Sequence, residues 1–313
     1  MTLIALCFPG QGSQVAGMAE GLLELPLAHE LIDEAQQCGL DLASALQGND
    51  ASLRATAVAQ PALLFVETLL AAEIPGGLEV AGVAGHSVGE YAAAVAAGAL
   101  APRQAMRLVI ARCDAMAAMA EGMMTALLGI DEAAALAVCE QASSSTGAVV
   151  VVANVNAPGQ VVISGAAIAV TAATALATER GARRAVPLNV SGAFHSPLME
   201  SAAEDFAAHL DAATIGDPSV PIVCNVDGEA VTDAAGLRDR LRRQLTSPVR
   251  WTDCVARLTA LGAEALVEVG PGSVLSGLAR RIAPEVPALP VSSLEAAHDL
   301  SAALSPSPRP PTA

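Results

Sequence analysis

One short stretch constrains this chain more than any other. An apolar strand signal from Val80 to Ala84 runs straight into Gly85-His86-Ser87-Val88-Gly89, and an Ala-rich helical stretch from about Val88 to Ala97 follows. A strand, a Gly-x-Ser-x-Gly turn and a helix form the setting of a nucleophile elbow, in which the glycines allow a turn tight enough to expose the serine hydroxyl above a sheet. The same pattern fits an ordinary βα turn with Ser87 as helix N-cap. Glu90, an acid in the first helical turn, suits that second reading through the helix dipole.

Composition narrows the setting. Hydrophobic residues make up 53% of the 313 and aromatics only 2%, with one Trp and one Tyr, so the core must be built from Ala, Val, Leu and Ile. Buried parallel strands and close-packed helices permit that, which favours α/β architecture. Sixteen basic against 32 acidic residues give a formal charge of −16, which opposes binding to nucleic acid or to an anionic membrane surface. There is no lysine, so every fixed cation is an Arg, a bidentate donor suited to carboxylate and phosphate. The cysteines Cys7, Cys38, Cys113, Cys139, Cys224 and Cys254 are scattered and form no C-x-x-C pair, which predicts reduced thiols in a cytoplasmic protein and no metal site. Met1 to Phe8 lacks a basic n-region and meets Pro9-Gly10 at once, so it reads as a first strand rather than a signal peptide. No apolar run reaches membrane-spanning length.

Leu3 to Phe8 is a buried-strand run, and Pro61 to Ala72 carries helical spacing. A helix is expected from Pro102 to about Met119, with Pro102 in its first turn. From Thr125 the texture changes to strand Thr125 to Ile130, helix Glu132 to about Gln141, strands Ala148 to Asn154 and Gln160 to Ser164, helix Ile168 to Glu179 and strand Ala185 to Val190. That β-α-β-β-α-β order predicts an inserted ferredoxin-like subdomain over residues 125–191. The α/β pattern then resumes with a helix after Pro197, strand Pro221 to Cys224, helices near Gly236 to Leu245 and Thr252 to Leu261, and strand Ala265 to Val269. Residues 305–313, Ser-Pro-Ser-Pro-Arg-Pro-Pro-Thr-Ala, read as a disordered tail.

A serine at an elbow needs a base. His29, His209 and His298 lie in helical, charge-bearing contexts typical of solvated side chains. His86 adjoins Ser87 in a sharp turn, so its side chain must point elsewhere, and its expected job is shaping the pocket. His195 follows the return from the small subdomain, where a loop can aim it into a cleft. Arg112 interrupts the apolar run Leu108 to Met116, so its guanidinium is either exposed on a polar edge or held in a pocket for an anion.

Seven ordered matches add to this reading. They are Phe8-Pro9-Gly10-Gln11-Gly12-Ser13-Gln14, Gln60-Pro61-Ala62, Gly85 to Glu90, Arg112 with Met116, Gly192-Ala193-Phe194-His195-Ser196, Gln244 before Ser247-Pro248-Val249-Arg250-Trp251, and Glu268 to Gly272. Together they resemble the malonyl-CoA:acyl carrier protein transacylases and the related acyltransferase domains of polyketide synthases, from Leu3 to about Ile282. The resemblance implies a large α/β-hydrolase-like domain, residues 1–124 and 192–304, interrupted by the ferredoxin-like βαββαβ subdomain. It also implies Ser87 as nucleophile, His195 as general base, the amides of Gln11 and Val88 as oxyanion hole, and the main-chain carbonyl at Gln244 as the group that orients the histidine. Arg112 becomes a clamp for a malonyl carboxylate, with Met116, Phe194 and His86 beside the substrate. Val88 and Phe194 look like the malonyl-selecting versions of their motifs, whereas Ala117 departs from a glutamine that many relatives carry.

The implied reaction is ping-pong transfer of malonyl from malonyl-CoA to the phosphopantetheine thiol of an acyl carrier protein, for fatty acid or polyketide synthesis. Neither metal nor redox cofactor takes part, and a monomer is expected. A carrier protein, typically acidic, would need a basic patch, for which Arg238, Arg240, Arg242, Arg243 and Arg250 are candidates, then Arg180, Arg183 and Arg184. A solvated helix face explains each of these equally well. Two other functions compete: a thioester hydrolase on the same scaffold, against which Arg112 argues, and a non-catalytic carrier-binding subunit, which would be expected to lose Ser87 or His195.

Overall fold

Strand β1, Leu3–Phe8, is buried along nearly its whole length, and its side chains divide between two faces. Ile4, Leu6 and Phe8 enter one apolar core while Ala5 and Cys7 enter another. That division is what the two-residue period of a strand produces when helices cover both faces of a sheet. The computed structural model describes residues 2–119, 121–190 and 192–304. The tail at 305–313, expected to be disordered, lies outside the described residues.

After β1 the chain forms α1 (Pro26–Gln37), α2 (Leu42–Leu46), α3 (Thr56–Ala72), β2 (Glu79–Gly85), α4 (Gly89–Ala96) and α5 (Pro102–Ala117). Next come β3 (Met123–Leu128), α6 (Glu132–Thr146), β4 (Val150–Ala157), β5 (Gln160–Gly165), α7 (Ala167–Glu179) and β6 (Arg184–Pro187). The chain continues through α8 (Glu200–Ala212), β7 (Ile222–Val223), β8 (Ala230–Val231), α9 (Ala234–Arg243), α10 (Trp251–Ala260), β9 (Ala265–Val269), α11 (Val274–Ile282) and β10 (Ala288–Val291). Two sheets result. The larger has the order β10-β9-β1-β2-β7-β8, parallel except for the β7-β8 pair, and the smaller has the antiparallel order β4-β5-β3-β6. Helices α6 and α7 share an apolar core with the small sheet.

The register of the large sheet sets up the elbow. Phe8 lies opposite Gly85, so β1 and β2 end side by side and the loops that follow them are neighbours. A Cβ on Gly85 would sit 1.9 Å from the Gly89 carbonyl carbon, and one on Gly89 would sit 2.2 Å from Phe8 O. Only glycine fits at either position, which is why the turn reads Gly-x-Ser-x-Gly. The small sheet is joined to the segment before α10 where Val249 N–H donates to Ala153 O at 2.8 Å and Val155 N–H donates to Val249 O at 2.9 Å.

Several boundaries differ from the sequence expectations. Helix α3 begins five residues before Pro61 and carries that proline inside. Helix α6 runs through the serine tract to Thr146 and stops at Gly147, whose φ of 68° forms a left-handed cap. β6 is shorter than the expected 185–190, although Leu188 N–H still donates to Met124 O. The helix expected over Gly236 to Leu245 ends at Arg243, and Gln244–Thr246 tighten into a 3-10 turn. That last change matters for chemistry, because carbonyls at a helix end are free to accept bonds from elsewhere.

Candidate active site

Ser87 occupies the elbow between β2 and α4 with φ of 53°, and His195 has φ of 58°. These are the two non-glycine residues with positive φ among the described residues. Their side chains meet: Ser87 Oγ lies 2.8 Å from His195 Nε2. The other ring nitrogen, His195 Nδ1, lies 3.0 Å from Gln244 O and 3.2 Å from Ser247 O. A carbonyl only accepts, so Nδ1 carries the proton and Nε2 presents a lone pair to the Ser87 hydroxyl. Burial, reinforced by the Arg112 charge, lowers the His195 pKa to about 3, which keeps the imidazole neutral at physiological pH. Two carbonyls stand where a triad carboxylate would stand in other serine enzymes.

Arg112 is wholly buried, which excludes the exposed polar edge that its sequence context also allowed. From α5 its Nη1 donates to Gln60 Oε1, while Nη2 donates to Ser87 Oγ at 3.2 Å and to Gln244 Oε1 at 3.1 Å. Its Nε has no hydrogen-bond partner among the described residues. Gln60 from α3 links this cation to the first loop, its Nε2 donating to Gln11 Oε1 at 3.3 Å and approaching Met116 Sδ at 3.8 Å. Gln11 itself donates from Nε2 to Thr56 Oγ1 at 3.1 Å.

His86 turns away from Ser87, as its neighbouring position requires. Its Nε2 lies 2.9 Å from Asn156 Oδ1 on β4, and its ring lies 5.5 Å from that of Trp251. Burial lowers the His86 pKa, so it too is a neutral donor. Together these groups bound a cavity of about 140 Å³ whose walls include Gln11, Ser87, Met116, Phe194 and His195 on one side and Met124, Val162 and Leu188 on the other. A wider groove of about 500 Å³, near Cys38, Asp114 and His209, contains none of the reactive residues.

Two residues that sequence reasoning did not single out hold the site together. Asn225, just past β7, accepts from Ser87 N–H at 2.7 Å through Oδ1 and donates to Gly85 O at 2.7 Å through Nδ2. Asn156 anchors His86. No motif announces Asn225, which lies 138 residues from Ser87 in sequence. Glu90 is not the solvated first-turn acid that a simple cap would have: it is buried, and burial raises its pKa to about 7.

Most of the arginines considered as a docking patch already have partners within the chain. Arg240 pairs with Asp227, Arg242 with Asp211, Arg243 with Asp239, and Arg250 with both Glu132 and Asp253. Arg238 caps the carbonyls of Leu210 and Ala213, and Arg180 donates to Gln141. In so acidic a chain, nearby carboxylates neutralise most of the charge that this helix face would otherwise offer. His29, His209 and His298 are exposed, as expected. All six cysteines are free. Among the described residues no helix is long and apolar enough to cross a membrane, and no cluster of three or more His, Cys, Asp or Glu is arranged to hold a metal ion.

Comparison with known proteins places the chain within a family. The acyl transferase domain family matches residues 6–294. The malonyl CoA-acyl carrier protein transacylase of Salmonella typhimurium is 45% identical over 312 residues, covering 97% of this chain and 99% of that protein. The crystal structure of malonyl-CoA:acyl carrier protein transacylase from Xanthomonas oryzae pv. oryzae superposes with a TM-score of 0.88 at 41% identity, covering 97% of this chain and 98% of that one. A further solved structure, of a type II PKS acyl-carrier protein in complex with its malonyl-transacylase, gives a TM-score of 0.89 at 37% identity and covers 95% and 98% of the two chains. Over nearly its whole length, therefore, this chain belongs to the acyl transferase domain family that includes the malonyl-CoA:acyl carrier protein transacylases.

Proposed function

We propose that the protein transfers a malonyl group from malonyl-CoA to the phosphopantetheine thiol of an acyl carrier protein through a malonyl-Ser87 intermediate. The observation that carries this reading is the double contact of Ser87 Oγ, with His195 Nε2 at 2.8 Å and with a wholly buried Arg112 Nη2 at 3.2 Å. A nucleophile beside a neutral base and a buried cation suits an acyl group that carries its own carboxylate.

His195 Nε2 takes the hydroxyl proton as Ser87 Oγ attacks the thioester carbonyl. Positive charge appears on the imidazole at that moment, and the carbonyls of Gln244 and Ser247 at Nδ1–H stabilise it. The amides of Gln11 and Val88, at the ends of adjoining strands, are the donors proposed for the tetrahedral oxyanion. Collapse expels CoA thiolate, which takes the proton from His195. In the second half-reaction His195 deprotonates the carrier thiol, the thiolate attacks the malonyl-serine ester, and the proton returns to Ser87. The two carboxylate oxygens of malonyl are matched to the Arg112 guanidinium, while Met116, Phe194 and His86 close the space around the acyl chain. These steps need no metal or redox group.

The α/β-hydrolase-like and ferredoxin-like descriptions, with the small domain over 125–191 and the rest of 1–304 around it, are the finer reading that the two sheets support. The order β4-β5-β3-β6 with α6 and α7 against it is the arrangement a βαββαβ unit adopts. Six free thiols suit a reducing compartment, and the reading extends to a cytoplasmic location.

The test is a partition experiment with malonyl-CoA and a holo carrier protein. Wild type should deliver malonyl to the carrier thiol in large excess over free malonate, and Ser87→Ala should do neither. Release mainly as malonate would favour a hydrolase.

A further inference from the structure

The geometry points to Glu90 as the positioning residue that ties the holders of the nucleophile, the base and the cation together through one buried carboxylate. This rests on the reaction proposed above. Glu90 Oε1 accepts from Asn225 N–H at 2.6 Å, and Oε2 accepts from Gln244 Nε2–H. The Asn225 side chain grips both sides of the elbow, at Ser87 N–H and Gly85 O. Gln244 does three further things: Nε2 donates to Ser87 O at 2.9 Å, Oε1 accepts from Arg112, and its main-chain oxygen accepts from His195. Glu90 is 1% exposed and touches neither substrate space nor reacting atoms, so it acts only through those two partners.

Both partners present donors, so the ionised carboxylate satisfies both, whereas the neutral acid sets an O–H against a donor and must release one contact. Burial pushes Glu90 up to about 7, while the Asn225 amide, the Gln244 side chain and the Arg112 guanidinium oppose that rise. The other groups around it are Asp227, whose charge adds to the rise, the thiols of Cys224 and Cys254, and the Tyr91 phenol. Burial raises the thiols and the phenol, so they stay neutral near pH 7. His195, lowered to about 3, does not titrate there either. Acidification through pH 7 should therefore protonate Glu90, slacken Asn225 or Gln244, and lower activity.

The experiment follows single-turnover acylation of Ser87 by malonyl-CoA from pH 5.5 to 9. In wild type the rate should fall as pH drops through about 7. Glu90→Gln should be slower at pH 8 by about ten- to a hundredfold, the worth of a hydrogen bond to a charged group, and should show no such limb. Gln244→Ala keeps the main-chain carbonyl for His195 but removes a donor that favours the ionised acid, so its limb should move to higher pH. A flat wild-type profile, an unshifted limb in Gln244→Ala, or a limb retained in Glu90→Gln would each overturn the assignment. If Glu90→Gln does not fold, the wild-type and Gln244→Ala profiles still decide it. Labelling of Ser87 by a sulfonyl fluoride, read over the same pH range, depends on elbow and base but not on the acyl donor. Failure with malonyl-CoA alone, with the limb intact in labelling, would count against the substrate and not against Glu90.

Discussion

Ser87 and His195 both stand in the left-handed region of backbone space, at φ of 53° and 58°, where a side chain costs about 1–3 kcal/mol. Such strain persists only where neighbours impose it. Asn225 does so for Ser87 by holding its amide, and the carbonyls of Gln244 and Ser247 hold the His195 ring. Arg112 raises a separate issue, because the resting cation leans on Gln60, Gln244 and Ser87 Oγ, so in the proposed clamp it exchanges part of that shell for a substrate carboxylate. Arg112→Ala should lower the acylation rate with malonyl-CoA by about two orders of magnitude, the worth of one charge-assisted pair, and should shift preference toward acetyl-CoA. Competition between the two donors, read by intact-protein mass, checks this, and retained malonyl preference would remove Arg112 from the clamp. Ser87 and His195 stood out from the residues themselves, while Gln244 and the choice for Arg112 came through the family resemblance, because each sits in a short ordered motif. Asn225 and the buried role of Glu90 were not, since both depend on contacts across more than 130 residues that no local spacing encodes.

At the scale of elements, the register that brings Phe8 opposite Gly85 fixes how close the first loop comes to the elbow. On the other face of the sheet the only tryptophan, Trp251 at the start of α10, is wholly buried beside Cys7, Val255 and Leu266 and packs its ring near His86. Trp251→Ala should cost about 3–5 kcal/mol, as other large-to-small aromatic changes in cores do. Urea denaturation measures this, and a loss below about 1 kcal/mol would mean that the site collapses around the gap. Whereas β8, α11 and β10 were not read, the strand-helix order from Thr125 through the βαββαβ run was legible from periodicity, because apolar alternation survives in an Ala- and Val-rich sequence. Element ends were less so. The serine tract after Gln141 reads as loop yet continues α6, because Ser143 and Thr146 bond to nearby backbone carbonyls while Gly147 sets the stop. The switch at Gln244 from helix to 3-10 turn has no sequence signal of its own, although the Gln244 carbonyl, which also accepts from Ser247 N–H at 3.3 Å, is the one that meets His195 Nδ1.

At the scale of the molecule, Ser87 and His195 line the cavity from the larger part and Met124, Asn154, Asn156, Val162 and Leu188 from the smaller, while Arg112 stands behind the serine and reaches it through Nη2. In the proposed function, one wall serves the chemistry and the other encloses the acyl chain, which would limit the access of water to the ester intermediate. The fold class followed from composition and element order. The volume and the polarity of the cleft followed only from how the small sheet docks through Val249 against β4. The net charge of −16 also takes on a sharper meaning, since most arginines near the C-terminal helices are paired and Arg112 is the cation directed at the cavity's serine. The most direct measurement is rapid acid quench after mixing with malonyl-CoA, followed by peptide mass mapping and a chase with holo carrier protein. A malonyl increment on the peptide containing Ser87, discharged by the carrier thiol and absent from Ser87→Ala, is the predicted result. Transfer to the carrier without any acyl-Ser87 would contradict the account.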